Sequence, residues 1–113
     1  MATIVPVDEI RRSPTAALFE GARHGDGVDT SFFITEYPPG RGPDLHFHPY
    51  SEVFIVHDGE ARFTVGDEQV VVGEGNVVVV PPETVHGFKA TAEGTTRVTG
   101  IHPSSEVKQT DVE

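Results

Sequence analysis

His46 and His48 flank Phe47, so in an extended segment both imidazoles leave the backbone on the same side. Glu52 follows after three residues in the same parity, although Pro49 between them removes a ladder donor and argues against one unbroken strand. His86 lies far along the chain, just past Pro81-Pro82. Three imidazoles and a carboxylate form a borderline nitrogen and oxygen donor set, suited to Fe, Mn, Co, Ni, Cu or Zn. On a six-coordinate metal they would leave two positions for water, substrate or dioxygen, and open positions make a metal site catalytic. The chain has no Cys, which excludes thiolate ligation, disulfides and a cysteine nucleophile. Taken alone, a His-x-His pair in a β-rich chain is more often two surface residues than half of a metal site.

For these donors to meet, the elements carrying residues 46–52 and 86 must converge. Turn formers recur at Gly25-Asp26-Gly27, Pro38-Pro39-Gly40, Asp58-Gly59, Gly66-Asp67, Gly73-Glu74-Gly75 and Pro81-Pro82. Between them lie short segments rich in Val, Phe, Ile and Thr: Thr30–Tyr37, Val53–His57, Ala61–Val65, Gln69–Val72, Val77–Val80 and Thr95–His102. Short strands punctuated in this way predict one all-β domain, a sandwich or barrel, over residues 1–113. Ala61, Phe63 and Val65 share one face and Arg62 and Thr64 the other, as in a half-buried strand. Val70–Val72 and Val77–Val80 are apolar on both faces, which predicts a dry neighbour on each side and, on the outer side, a second layer or a partner copy. Helical turns are expected only in the short N-terminal segment, at Val7–Arg12 and Thr15–Glu20, interrupted by Pro14. The polar tail, residues 104–113, is expected to be partly mobile.

The spacing around the histidines is more specific than their number. Gly40 is followed after five residues by His46-Phe47-His48, then after three by Glu52 and after six by Gly59. After fifteen intervening residues Gly75 opens a second stretch, with Pro81 after five residues, then Glu83, His86 and Ala90. This order resembles the two motifs of the cupin superfamily, the first over about residues 40–59 and the second over about residues 75–90. The first motif is complete. In the second, Glu83 stands where Gly is usual and Ala90 where Asn is usual, so Glu83 implies a turn that avoids a strictly Gly-only conformation. The resemblance implies a double-stranded β-helix, or jelly-roll barrel, with one divalent transition metal held by His46, His48, Glu52 and His86. It also implies a site toward one barrel mouth, walled by Phe54, Val56 and Phe88 or simply continuous with the core there.

The other histidines read differently. His57 has the opposite parity to Glu52 and is expected at the surface; His24 falls in a Gly-rich loop; His102 caps the last apolar run or rims the pocket, the structural role being favoured. Tyr37, Tyr50, Arg41, Arg62 and Arg97 are the residues able to add polar substrate contacts.

Architecture does not set the reaction. Small metal cupins often act on compact organic substrates. The resemblance therefore implies a metal-dependent enzyme, oxygenase-like or an isomerase or lyase, in which Glu52 ligates or loosens to accept a proton. The alternative is a non-catalytic small-molecule-binding or metal-stabilised structural module. A net charge of −10 argues against a nucleic-acid partner, and no apolar run is long enough for a membrane span. A soluble cytoplasmic homodimer with a small-molecule ligand is the expected setting.

Overall fold

The computed structural model describes residues 1–112, and its strands fall where the alternating segments lie. The six anticipated runs become β3 (Ser31–Tyr37), β5 (Glu52–Asp58), β6 (Glu60–Val65), β7 (Glu68–Gly73), β8 (Asn76–Val80) and β10 (Thr96–His102). Five further strands complete the set: β1 (Arg11–Ser13), β2 (Ala16–Glu20), β4 (His46–Phe47), β9 (His86–Ala90) and β11 (Thr110–Asp111). They form two antiparallel sheets, one ordered β1-β2-β3-β10-β5-β8 and the other β11-β4-β9-β6-β7. This is the expected all-β jelly-roll arrangement.

The sheets face each other across Phe54, Val56, Ala61, Phe63, Val80, Phe88 and Val98. Alternation is what puts these side chains there. In β6, Ala61 and Phe63 are buried while Glu60 and Arg62 are exposed; in β10, Thr96, Val98, Gly100 and His102 all point inward. Strand β10 lies between β3 and β5 and pairs with β3 over its whole length, from Thr96 against Tyr37 to His102 against Ser31.

Three expectations need correction. Thr15–Glu20 forms no helical turn: Ala16–Glu20 is β2, paired residue for residue with Ser31–Thr35 of β3. Burial of Ala17, Leu18 and Glu20 in that pairing overrides local helical preference. At the other N-terminal segment a 3-10 turn covers only Val7–Ile10, and Arg11 already belongs to β1.

Residues 104–112 of the polar tail make several contacts with the body of the domain, and residue 113 lies outside the described residues. Ser104 and Ser105 carbonyls accept from Ser31 Oγ and the Ala22 N–H, Val107 N–H donates to Glu20, Lys108 N–H donates to Tyr50, and β11 pairs with β4. Its backbone groups find partners in the body of the domain.

His24 is not in an open loop. It ends the short helix α1 (Gly21–His24), and its Nδ1 accepts from the Glu20 N–H.

The valine runs are dry on one side only. Val80 is fully buried and Val72 and Val78 pack on the core, whereas Val70, Val71, Val77 and Val79 are 41%, 51%, 60% and 64% exposed. No second layer among the described residues covers them. No helix among the described residues is long and apolar enough to cross a membrane.

Candidate metal centre

The two sheets each deliver part of the site. His46 in β4 pairs directly with His86 at the start of β9, so one register fixes two imidazoles side by side in the five-stranded sheet. His48 lies just beyond β4, ahead of the Pro49 break. Glu52 opens β5 and His102 closes β10, both in the six-stranded sheet. All five side chains are buried, at 1–5% exposure. His46, His48, Glu52 and His86 can bring one donor atom each within 4.8 Å of one another and could together hold a metal ion.

Backbone carbonyls set the imidazole tautomers. Nδ1 of His46 donates to Asp44 O at 2.6 Å, Nδ1 of His48 to Lys108 O at 2.9 Å and Nδ1 of His86 to Thr84 O at 2.8 Å. A neutral imidazole has one N–H, so the three Nε2 atoms are left as lone pairs. Two of them, on His48 and His86, lie 3.0 Å from Oε1 of Glu52.

Lone pairs facing a carboxylate oxygen at that distance repel unless a proton or a cation lies among them. Neighbouring donors each about 2.1 Å from an octahedral ion would be about 3.0 Å apart, so the spacing and the donor chemistry both fit a divalent metal.

Electrostatics agree with an ionised carboxylate. Burial works to raise the pKa of Glu52, yet the rings of His102, His48 and His86 hold the group well below the usual carboxylate range wherever a proton lies on the nitrogen that faces it, and a cation among the lone pairs would act in the same direction. Burial pushes the His46 imidazole below its ordinary value; His86 and His48 add to this, while the Asp44 carbonyl and Glu52 oppose it. A neutral His46 is the form that can ligate.

A cavity of about 160 Å³ opens beside these groups, bordered by His46, Glu52, His102, Tyr37, Phe54 and Phe88. Phe54 and Phe88 are both pocket wall and core, whereas Val56 is core alone. Burial keeps the Tyr37 phenol above its ordinary pKa, although Arg41 works against this. Arg41, Arg62 and Arg97 are all exposed and stay out of the cavity, Arg97 pairing with Asp58. His57 is at the surface, hydrogen-bonded to Thr99.

His102 is the residue that sequence reasoning placed too peripherally. Its Nε2 lies 3.0 Å from Oε2 of Glu52, and its Nδ1 lies 2.7 Å from the Tyr50 hydroxyl. The available signal was parity with the inward Val98 and Gly100. Lys108, which orients His48 through its carbonyl, offered no such signal because a backbone group has none.

Glu83 adopts φ +62°, the left-handed region, so the turn before His86 keeps a backbone that favours Gly. Its N–H donates to the His48 carbonyl at 2.7 Å, which ties that turn to the loop carrying a second imidazole.

A family model described as a cupin domain matches residues 33–102. Among solved structures, oxalate oxidase superposes with a TM-score of 0.79 at 17% identity, over 96% of this chain and 63% of that one. Oxalate decarboxylase of Bacillus subtilis, with Mn(II) centres, gives 0.83 at 17% identity over 94% of this chain and 31% of that one. A conserved protein with a double-stranded β-helix domain from Klebsiella pneumoniae gives 0.77 at 19% identity, covering 100% and 99% of the two chains. The chain thus spans less than two-thirds of the oxidase and less than a third of the decarboxylase, and the likeness at these identities is one of fold. No curated protein matches the chain in sequence.

Proposed function

This chain belongs to the cupin family, and from that premise we propose that it binds one divalent transition metal through His46, His48, Glu52 and His86 and uses it on a small organic molecule. The observation that carries this reading is the inward set of imidazole lone pairs against a buried carboxylate, a cluster that a cation among the donors would stabilise. When bound, such a metal supplies Lewis-acid or redox chemistry at open coordination positions.

The chain's own contribution is positioning and exclusion of water. Carbonyls of Asp44, Thr84 and Lys108 fix the rings; Phe54 and Phe88 wall the cavity; Glu52 is the group able to ligate or accept a proton. A cavity of about 160 Å³ suits a compact molecule. No Lys or Arg borders it. A dianionic substrate would therefore find no cationic side chain, and a neutral or enolic oxygen donor suits the walls better. The reaction is oxygenase-like, or an isomerisation or lyase step.

Reconstitution with Mn²⁺, Fe²⁺, Co²⁺, Ni²⁺, Cu²⁺ or Zn²⁺ followed by elemental analysis tests the premise. About one ion per chain is expected in the native protein and none in the double variant His46→Ala/His86→Ala. A native protein that retains no ion, or a double variant that retains it, defeats this ligand set.

One observation favours a second reading, a non-catalytic binding or metal-stabilised module: Glu52 is already in contact with three imidazoles, which leaves no free carboxylate at the cavity. An intact ligand bound by the metal-loaded protein, with no oxygen consumption or turnover across a broad panel, would select it. In either reading a second copy of the chain is the proposed protein partner.

A further inference from the structure

Tyr50, His102 and the Lys108 peptide form a directional chain of contacts that ends on the carboxylate. The Lys108 N–H donates to the Tyr50 hydroxyl oxygen at 3.1 Å, so the phenolic proton is free to point elsewhere. It points to Nδ1 of His102, 2.7 Å away. A neutral His102 that accepts at Nδ1 carries its proton at Nε2. This is the tautomer opposite to that of His46, His48 and His86, whose Nδ1 atoms donate. His102 Nε2 lies 3.0 Å from Oε2 of Glu52, and it is the buried side-chain nitrogen, among the described residues, that has no aligned hydrogen bond.

We propose that His102 is a positioning residue for the metal centre: it presents an N–H to Oε2 of Glu52, so that Oε1, which faces the Nε2 atoms of His48 and His86, is the oxygen left for the ion. The inference rests on the metal-binding reading. It assigns the fourth histidine to the carboxylate instead of to the ion. It also makes the Lys108 backbone part of the site, because its N–H donates to Tyr50 and its carbonyl accepts from His48.

Long-range ¹H–¹⁵N spectra of the histidine rings in the metal-free protein test the tautomer directly. A proton on Nε2 of His102, displaced or in exchange in Tyr50→Phe, is expected; a proton on Nδ1 alone overturns the proposal. Titration with Mn²⁺ then tests the consequence. His102→Leu keeps volume without the donor and should bind about 10- to 100-fold more weakly, with an altered Mn(II) EPR spectrum. His102→Gln restores an amide N–H near the Nε2 position and should recover most of the affinity, which a merely volume-filling role would not require. Native affinity and an unchanged spectrum in His102→Leu overturn the inference, as does a loss as complete as in His46→Ala/His86→Ala, which would make His102 a ligand. If the native protein itself takes up no metal, the metal reading fails and the positioning role with it; a proton on Nδ1 alone in a protein that does take up metal defeats the inference and leaves that reading standing.

Discussion

Glu52 receives contacts on both oxygens, and the space that lets it do so is a missing side chain. A Cβ at Gly100 would come within 2.5 Å of Glu52 Oε2 and 3.0 Å of the Phe54 ring. Gly100→Ala should therefore cost about 1–3 kcal/mol in urea denaturation, as overpacking does, and weaken metal binding at the same time because the carboxylate must move. A destabilised variant with native metal affinity would mean that the carboxylate has another place to go. At this scale the sequence was most legible where chemistry and spacing coincide. His46, His48, Glu52 and His86 are donors by residue type and neighbours by motif, and the fold brings them together. His102 has the same chemistry but stands outside both motifs, so its role depended on knowing that β10 runs beside β5. Tyr50 is linked to it by a contact between residues 52 positions apart, which no local pattern carries.

Elements fail to be legible when their pairing, and not their composition, creates them. β4 and β11 are two residues each and exist because they pair with each other and, for β4, with β9. β2 reads equally well as a helical turn until β3 is set beside it. The longer strands announce themselves, because five to seven residues allow alternation to show. The turn between β8 and β9 illustrates an intermediate case: Glu83 in place of Gly implied a turn that is not strictly Gly-only, and its φ of +62° lies in the left-handed region, open to a non-Gly residue at a cost. The left-handed region costs a non-Gly residue about 1–2 kcal/mol, and Gly adds about 0.5–1 kcal/mol of unfolded-state entropy. Glu83→Gly should therefore stabilise the protein by about 0.5–1 kcal/mol, read as a raised Tm. A lowered Tm would show that the Glu83 side chain contributes more than its backbone strain removes.

At the scale of the molecule, what is left to explain is the outer valine face. Val70, Val71, Val77 and Val79 are 41–64% exposed, and they sit on β7 and β8, each the edge strand of its sheet. Exposed apolar edges invite pairing. Val70–Gly73 and Asn76–Val79, which line this surface, include no charged residue, in a chain whose net charge is −10. Two such acidic copies repel everywhere else, so this uncharged face is where they can approach. Four valines fall short of the roughly 800 Å² per partner of a standard interface, so a stable dimer must also take in the free edge of β7 or β8. The apolar runs were legible as needing a dry neighbour, but one chain's sequence cannot distinguish a layer of its own from a copy of itself. Sedimentation equilibrium should find a dimer at micromolar concentration, tightened by added salt because screening relieves the like-charge repulsion. Val77→Glu/Val79→Glu should be monomeric and still bind one metal ion per chain, since neither residue touches the centre. A native protein that sediments as a monomer at all salt concentrations would leave the valine face without a second copy to cover it.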